Sequence, residues 1–449
     1  TILLALVGVV YLIVWIVDNS ALLFDPALQN SDARTSIFPF HRYASPPQLT
    51  DDPIADEMLA LVPIGVRFLY RITVPFTDVF IAPKIIQGVA LGILFWATWV
   101  LARSKRAGVA AAVLVTFLVL HDWFAIYRVA GGLPRAFAFP LFALWLAGAL
   151  AEKPWTRRIA TVLAALTYPS AMNMLLAAEG LYTLRGAGKN AFRVLPRRLL
   201  KYGALVAVCV VCALPAVVGG DDRGPIHTLE QAKREPAFGK SGRLWILPFE
   251  KPTDALGDAF IDTMRPRGTA LVAPLQNIAK IDSDIAALAA IALVLSLCLL
   301  RVAPAPWIAL CVTAGSVVLY GLSRAFAFRL YSPERYYSYG MRMAAIALFA
   351  VILGQSFYWL RRSRRTTARN LLVLGFVVGV WGILGSGIVR NNGMTISQRY
   401  DSELYEFIAR LPPSVRIASH PMDGDGIPYY SARRTMGAFE TLQPWFTKS

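Results

Sequence analysis

The chain has 449 residues, of which 56% are hydrophobic and 16% charged, and it carries a formal net charge of +17. So apolar a composition excludes the soluble class. The charge does not call for nucleic acid either, because five segments at 103–106, 152–158, 185–201, 301 and 361–369 hold eighteen Lys or Arg against one acid, Glu152. Short cytoplasmic loops of a helical membrane protein collect cations in this way.

Hydrophobic runs long enough for an apolar slab of roughly 30 Å predict eleven helices, near 1–17, 85–102, 108–121, 134–151, 158–171, 173–185, 202–218, 284–300, 304–322, 341–360 and 370–389. Every basic segment then shares one face, provided that 158–185 turns back at Tyr168-Pro169-Ser170. The expected architecture is an all-α polytopic integral membrane protein of the cytoplasmic (inner) membrane, multi-pass, with its start inside. Residues 1–389 form the transmembrane domain with outer loops 18–83 and 219–283, and 390–449 form a small extracytoplasmic α/β segment. Thr1 already lies in an apolar run, so residues before it are expected to have been removed or left out of the numbering; that run ends at Asp18 without the small-residue cleavage site of a signal peptide. Cys209, Cys212, Cys298 and Cys311 all fall inside predicted spans, which leaves no disulfide framework.

In the first outer loop, Asp32 and Arg34 stand beside His41 and Arg42. A carboxylate with cations close by stays ionised at neutral pH and can act as a general base, while the cations stabilise a departing phosphate. Farther on, Met58, Leu59, Leu61, Val62, Val66 and Leu69 repeat at helical spacing, which predicts a helix lying in the membrane interface. The second outer turn brings His121-Asp122, Arg128, the Gly131-Gly132 bend, and Pro134 and Arg135 opening the fourth helix. A cation at a helix N-terminus opposes the dipole and calls for an anion.

Motifs for nucleotides and metals are absent: no P-loop, no dinucleotide fingerprint, no HExxH and no paired CxxC. No metal site or cofactor is expected, although a divalent cation stays open. The loop 186–200 holds no acid and is too short for an ATP pocket, so any reaction belongs to the outer face. There, 323–340 interleaves Arg324, Arg329, Arg335 and, just beyond, Arg342 with Tyr331, Tyr336, Tyr337 and Tyr339. Arginine forks suit phosphate and aromatic rings suit sugars or polyprenyl chains. The tail predicts a helix over 401–411 with Leu404, Phe407, Ile408 and Leu411 on one face, a strand at 415–418 and a turn at Asp423-Gly424-Asp425-Gly426. Arg433, Arg434 and Glu440 are then placed to cap the outer loops.

The blocks QNSDARTSIFPFHRY, LPRAFAFPL, SPERYYSYGMR and the IAS-to-RRT tail resemble a bacterial polytopic group. The order of an inner-to-outer first helix, a long first outer loop with an acid ahead of an interfacial helix, a second acid after the third helix and an outer C-terminal domain is similar to the GT-C superfamily of membrane glycosyltransferases. That resemblance implies a sugar donor linked to polyprenyl phosphate. It also implies a catalytic Asp32 with Asp122 assisting, substrate contacts from Arg34, His41, His121, Arg128, Arg135, Arg335 and Arg342, and a glycan, lipid or protein acceptor in the cell envelope. Asp32 is followed by Ala-Arg rather than a second acid. Two other readings stand beside it: a transporter or flippase of lipid-linked or anionic solutes, with Glu179 as its main ionisable residue, and a non-catalytic subunit of a larger membrane complex.

Overall fold

A computed structural model describes residues 2–26, 28–104, 107–121, 123–184, 191–218, 305–325, 402–420 and 424–436, with Arg234 and scattered positions between 335 and 355. The predicted helices 284–300 and 370–389, most of 341–360, nearly all of the loop 219–283 and the end of the tail lie outside them.

The sequence AFPLFALWLAGAL is apolar on every side, and a helix of that kind belongs inside the protein. It forms α9 (Ala138–Leu150), all of whose residues are buried. Around it pack α6 (Ala82–Ala102), α10 (Pro154–Thr167) and α11 (Pro169–Thr183), while α7 (Gly108–His121) lies on α6 and α1 (Ile2–Asp18) on α7. Beyond these, α12 (Ala191–Val218) lies against α10 and α11, and α13 (Ala305–Ala325) against α11. The turn between α10 and α11 falls at Tyr168, where the sequence places it, because Pro169 opens α11 at a position that needs no N–H. Among the described residues, α6 and the Leu195–Pro215 stretch of α12 are long and apolar enough to cross a membrane, and two bent helix pairs raise the number to four at most.

Three expectations are corrected. The amphipathic run is two helices, α4 (Pro53–Leu61) and α5 (Ile64–Thr73), bent by 119° from one another. Pro63 supplies no N–H and forces Val62 into extended backbone, so helical spacing alone misses the break. Pro134 opens a separate 3-10 turn, Pro134–Phe137, ahead of α9. The basic segment before Lys201 is not all loop, since α12 already begins at Ala191.

The loop between α1 and α6 also holds α2 (Ser20–Phe24), α3 (Ser31–Ile37) and a 3-10 turn over Phe38–Tyr43. Between α7 and α9 lies α8 (Trp123–Val129), which the sequence reading left as a turn. In the tail, α14 (Ser402–Arg410) buries Tyr405 and Ile408 and leaves Leu404 and Phe407 exposed, so its inward face is rotated from the expected one. Two short parallel strands follow, β1 (Arg416–Ile417) and β2 (Arg434–Thr435), joined through α15 (Ile427–Ser431). The tail leans on the first loop as expected: α15 packs on α3, the Tyr429 ring meets Phe80 edge-on at 5.2 Å, and Arg434 reaches Asp51 at 3.3 Å. Arg433 donates to the Leu411 carbonyl at 2.8 Å and to that of Ala409, closing the C-terminal end of α14.

Candidate functional site

Asn30 caps α3, its side chain accepting from the Asp32 N–H at 3.0 Å. That cap fixes Asp32 in the first helical turn, where the dipole favours a negative charge. Next to it runs the Gly131-Gly132 bend, with φ of 83° and 66°. A Cβ on Gly131 would stand 2.9 Å from the Asn30 Cβ and 3.0 Å from that of Ala33, and one on Gly132 would strike Pro83 backbone at 2.7 Å. Only glycine permits both this backbone conformation and the approach of α3. Gln87 holds the bend by accepting from the Gly131 N–H at 3.0 Å.

The close approach sets α8 and the Pro134–Phe137 turn against Asp32. Tyr127 donates its hydroxyl hydrogen bond to Asp32 Oδ2 at 2.8 Å, and Arg135 Nη2 lies 2.5 Å from the same oxygen in an ion pair. The Arg135 side chain is 11% exposed and that of Asp32 33%, so the carboxylate remains reachable while its partner is sunk behind it. Arg135 lies over the Tyr127 ring at 5.1 Å, and Arg128 over Tyr127 at 5.5 Å and over Tyr339 at 5.8 Å. Tyr339 is buried between Phe139 and Tyr168, with ring centroids at 5.1 and 5.9 Å. The Tyr168 hydroxyl in turn accepts from Arg335 Nη1 at 3.0 Å.

Burial acts to raise the Asp32 pKa, but the charge and contact of Arg135, the Tyr127 hydrogen bond and the charge of Arg128 prevail and leave it below the ordinary 3.8. For Arg135, burial disfavours the cation and Asp32 restores it, with a net shift upward. Both groups are therefore ionised at neutral pH. Arg135 Nε is buried and has no hydrogen-bond partner among the described residues. A buried donor in that condition asks for an acceptor.

Several sequence-assigned residues sit elsewhere. Arg34 follows Asp32 by two positions on α3, and residues so spaced on a helix do not face one another; the cations around Asp32 are Arg135 and Arg128. Arg42 is spent on the first loop itself, donating to the Leu49 and Asp52 carbonyls at 2.9 and 3.0 Å and pairing with Asp56. His41 serves the fold: it is buried, and its Nε2 lies 2.7 Å from the Tyr429 carbonyl of the tail, a contact in which Nε2–H donates. Burial lowers its pKa from 6.5, against the hydrogen bonds to Tyr429 and Gln48 and the charge of Asp78. His121 ends α7 and Asp122 lies outside the described residues, while Arg342 is half-buried on the segment that carries Arg335. The sequence reading does not name Tyr127 or Gln87, and it marks Tyr168 only as the α10–α11 turn; Tyr127 adjoins Arg128 in the chain. Among the described residues no three His, Cys, Asp or Glu side chains gather as metal ligands.

No protein-family model matches the sequence, and no curated protein matches it. Among solved structures, the chain is similar to ArnT from Cupriavidus metallidurans bound to undecaprenyl phosphate, with a TM-score of 0.52 and 15% identity over 99% of this chain and 87% of that one. The apo form of the same protein gives 0.50 and 15% over 96% and 85%. The chain therefore shares its fold with these structures.

Proposed function

We propose that this is a multi-pass inner-membrane glycosyltransferase that moves a sugar from a polyprenyl-phosphate-linked donor to a glycan, lipid or protein acceptor at the outer face. The supporting observation is a partly exposed Asp32 carboxylate ringed by Arg135, Arg128 and Tyr127 at the loop end of a GT-C-like bundle. In the transfer, an acceptor oxygen bonds to the anomeric carbon, the bond from that carbon to the phosphate oxygen breaks, and the polyprenyl phosphate leaves with the electron pair. Asp32 accepts the hydrogen bond of the acceptor hydroxyl and orients it. Its depressed pKa makes it a weak base, so the proton passes to it only as the new bond forms. Arg135, through its buried Nε, and Arg128 meet the phosphate charge, with Arg335 and Arg342 completing the clamp. Asp122, just ahead of α8, is the second acidic residue. That one structurally similar protein is bound to undecaprenyl phosphate supports the donor class.

Glu179, on which a transport reading rests, is engaged by Arg157 through Nε at 2.9 Å and Nη2 at 3.2 Å and by Trp145 Nε1 at 3.0 Å. It lies in the last turn and a half of α11, away from the midpoint of the helix.

The test uses the purified full chain with undecaprenyl phosphate, retention being read by native mass spectrometry, together with the envelope glycans of cells carrying wild type or Asp32→Asn. The expected result is retention by wild type, about tenfold weaker retention by Arg135→Ala, and loss of one sugar modification in the Asp32→Asn cells. No retention together with unchanged glycans overturns the transferase reading and leaves the subunit reading.

A further inference from the structure

The end of the bundle remote from Asp32 carries a second charged site. Helices α9, α10 and α11 each run from the Arg135–Tyr168 region to this far end, and α10, with 14 residues, spans about 21 Å. Ser104, in the basic loop after α6, donates to the Leu150 carbonyl at 3.2 Å, so the loops after α6 and α9 meet here. A cavity of about 470 Å³ opens here between α10, α11 and α12, within the roughly 300 to 1,000 Å³ usual for ligand sites.

Its charges divide into a floor and a mouth. In the floor, Glu179 and Arg157 neutralise each other in a two-point ion pair, with the Arg157 guanidinium 4.3 Å from the Tyr182 ring. Among the described residues, the mouth is lined by Arg158, Arg198 and Lys201 and by the carboxylate of Glu152, three cations to one acid, an excess of two positive charges. Beside these cations the surface is apolar: Trp155 on α10 and Leu200 on α12 are 71% and 75% exposed, and the Arg158 guanidinium lies 5.4 Å from the Trp155 ring. An exposed Trp with arginines alongside marks the level of lipid headgroups. A free phosphate would use the cations but not the apolar flank, whereas a lipid uses both. Basic pockets between helices at this level bind anionic headgroups.

We infer that the cavity between α10, α11 and α12 binds the phosphate headgroup of an anionic membrane lipid, held by Arg158, Arg198 and Lys201, with its acyl chains along Trp155 and Leu200. The site is separate from the Asp32 cluster and does not depend on the transferase reading.

The test measures phosphatidylglycerol and phosphatidylcholine of identical acyl chains binding to the full chain in detergent, counted by native mass spectrometry. Wild type should prefer phosphatidylglycerol by about tenfold, the worth of one charge-assisted hydrogen bond. Arg198→Gln/Lys201→Gln should abolish that preference without altering phosphatidylcholine binding, and Arg158→Gln should weaken it. Glu152→Gln should strengthen it by about threefold through the removed negative charge, an increase that a folding defect does not produce. Glycerol 1-phosphate at millimolar concentration should not displace the lipid. Equal binding of the two lipids by wild type, an undiminished preference in the double variant, or displacement by glycerol 1-phosphate at the affinity of the lipid itself would each overturn the inference.

Discussion

Both ends of the bundle hold a carboxylate against an arginine, yet the two pairs are built differently. Glu179 and Arg157 are 6% and 9% exposed and meet at two points, with the Trp145 N–H on the same carboxylate. Asp32 is 33% exposed and meets Arg135 at one oxygen, shared with the Tyr127 hydroxyl. A closed pair with its hydrogen bonds filled fixes helices in place, and removing one partner strands a buried charge. An open pair with an exposed carboxylate and a guanidinium Nε–H that has no partner among the described residues can exchange contacts with a substrate. A functional site at the Asp32 end is therefore argued from what the pair leaves unsatisfied, not from the presence of a salt bridge.

The comparison breaks outright if the two ends do not face opposite sides of a membrane. Arg197→Cys, beside the basic cavity, should react with a membrane-impermeant maleimide only after cells are opened, and His420→Cys in the tail should react in intact spheroplasts. Labelling of both from one side would end the two-sided reading. Next in size is the closed pair. Arg157→Met should cost about 3–5 kcal/mol of stability by leaving Glu179 buried and unpaired, and the double change Arg157→Met/Glu179→Met should recover most of it. A thermal unfolding series that shows no recovery would remove the structural role assigned to the pair. At the open pair the larger effect falls on function: Asp32→Asn should lower turnover about a hundredfold, with a smaller loss of stability than Arg157→Met because Asn keeps a side-chain oxygen for Arg135 and Tyr127. A large loss of stability with unchanged turnover would make Asp32 a second structural lock.

How much of this is legible in the sequence depends on the range over which the cause acts. The Tyr168-Pro169 turn was readable because proline chemistry is local, and the basic face because charge segregation is a property of composition; Glu152, Arg157 and Arg198 do gather at one end. Asp32, Arg128 and Arg135 were each identified, but Asp32 was grouped with Arg34, His41 and Arg42. Adjacency in sequence is not adjacency on a helix, and its actual partner arrives through the close contact at Gly131. The sequence places a bend at Gly131-Gly132, and the larger effect of the pair is to admit α3 at a distance no side chain tolerates. The contact of His41 is out of local reach for a related reason: its Nε2 partner is the backbone carbonyl of Tyr429 at the far end of the chain, which no local pattern announces.

That same contact yields the smallest effect and tests whether the tail belongs to the open end. Burial holds His41 below its ordinary 6.5, so the unfolded chain binds a proton more readily than the folded one. Stability should therefore be flat above about pH 6.5 and fall as the pH drops through it, since protonation favours the unfolded state. The loss is confined to the tail contact, and it should appear as earlier proteolysis after α14 at pH 5.5 than at pH 7.5. His41→Gln keeps a side-chain N–H for the Tyr429 carbonyl but does not titrate in this range, so the pH dependence should vanish while the tail stays docked. Asp32 and Arg135 contribute nothing to that slope, because the Asp32 pKa is pushed down from its ordinary 3.8 and that of Arg135 is pushed up, both away from this range. If the His41→Gln protein keeps the acid sensitivity, the tail is held by something other than the His41 contact, and its place beside Asp32 must rest on the packing of α15 on α3, the Tyr429–Phe80 ring contact and the Arg434–Asp51 pair.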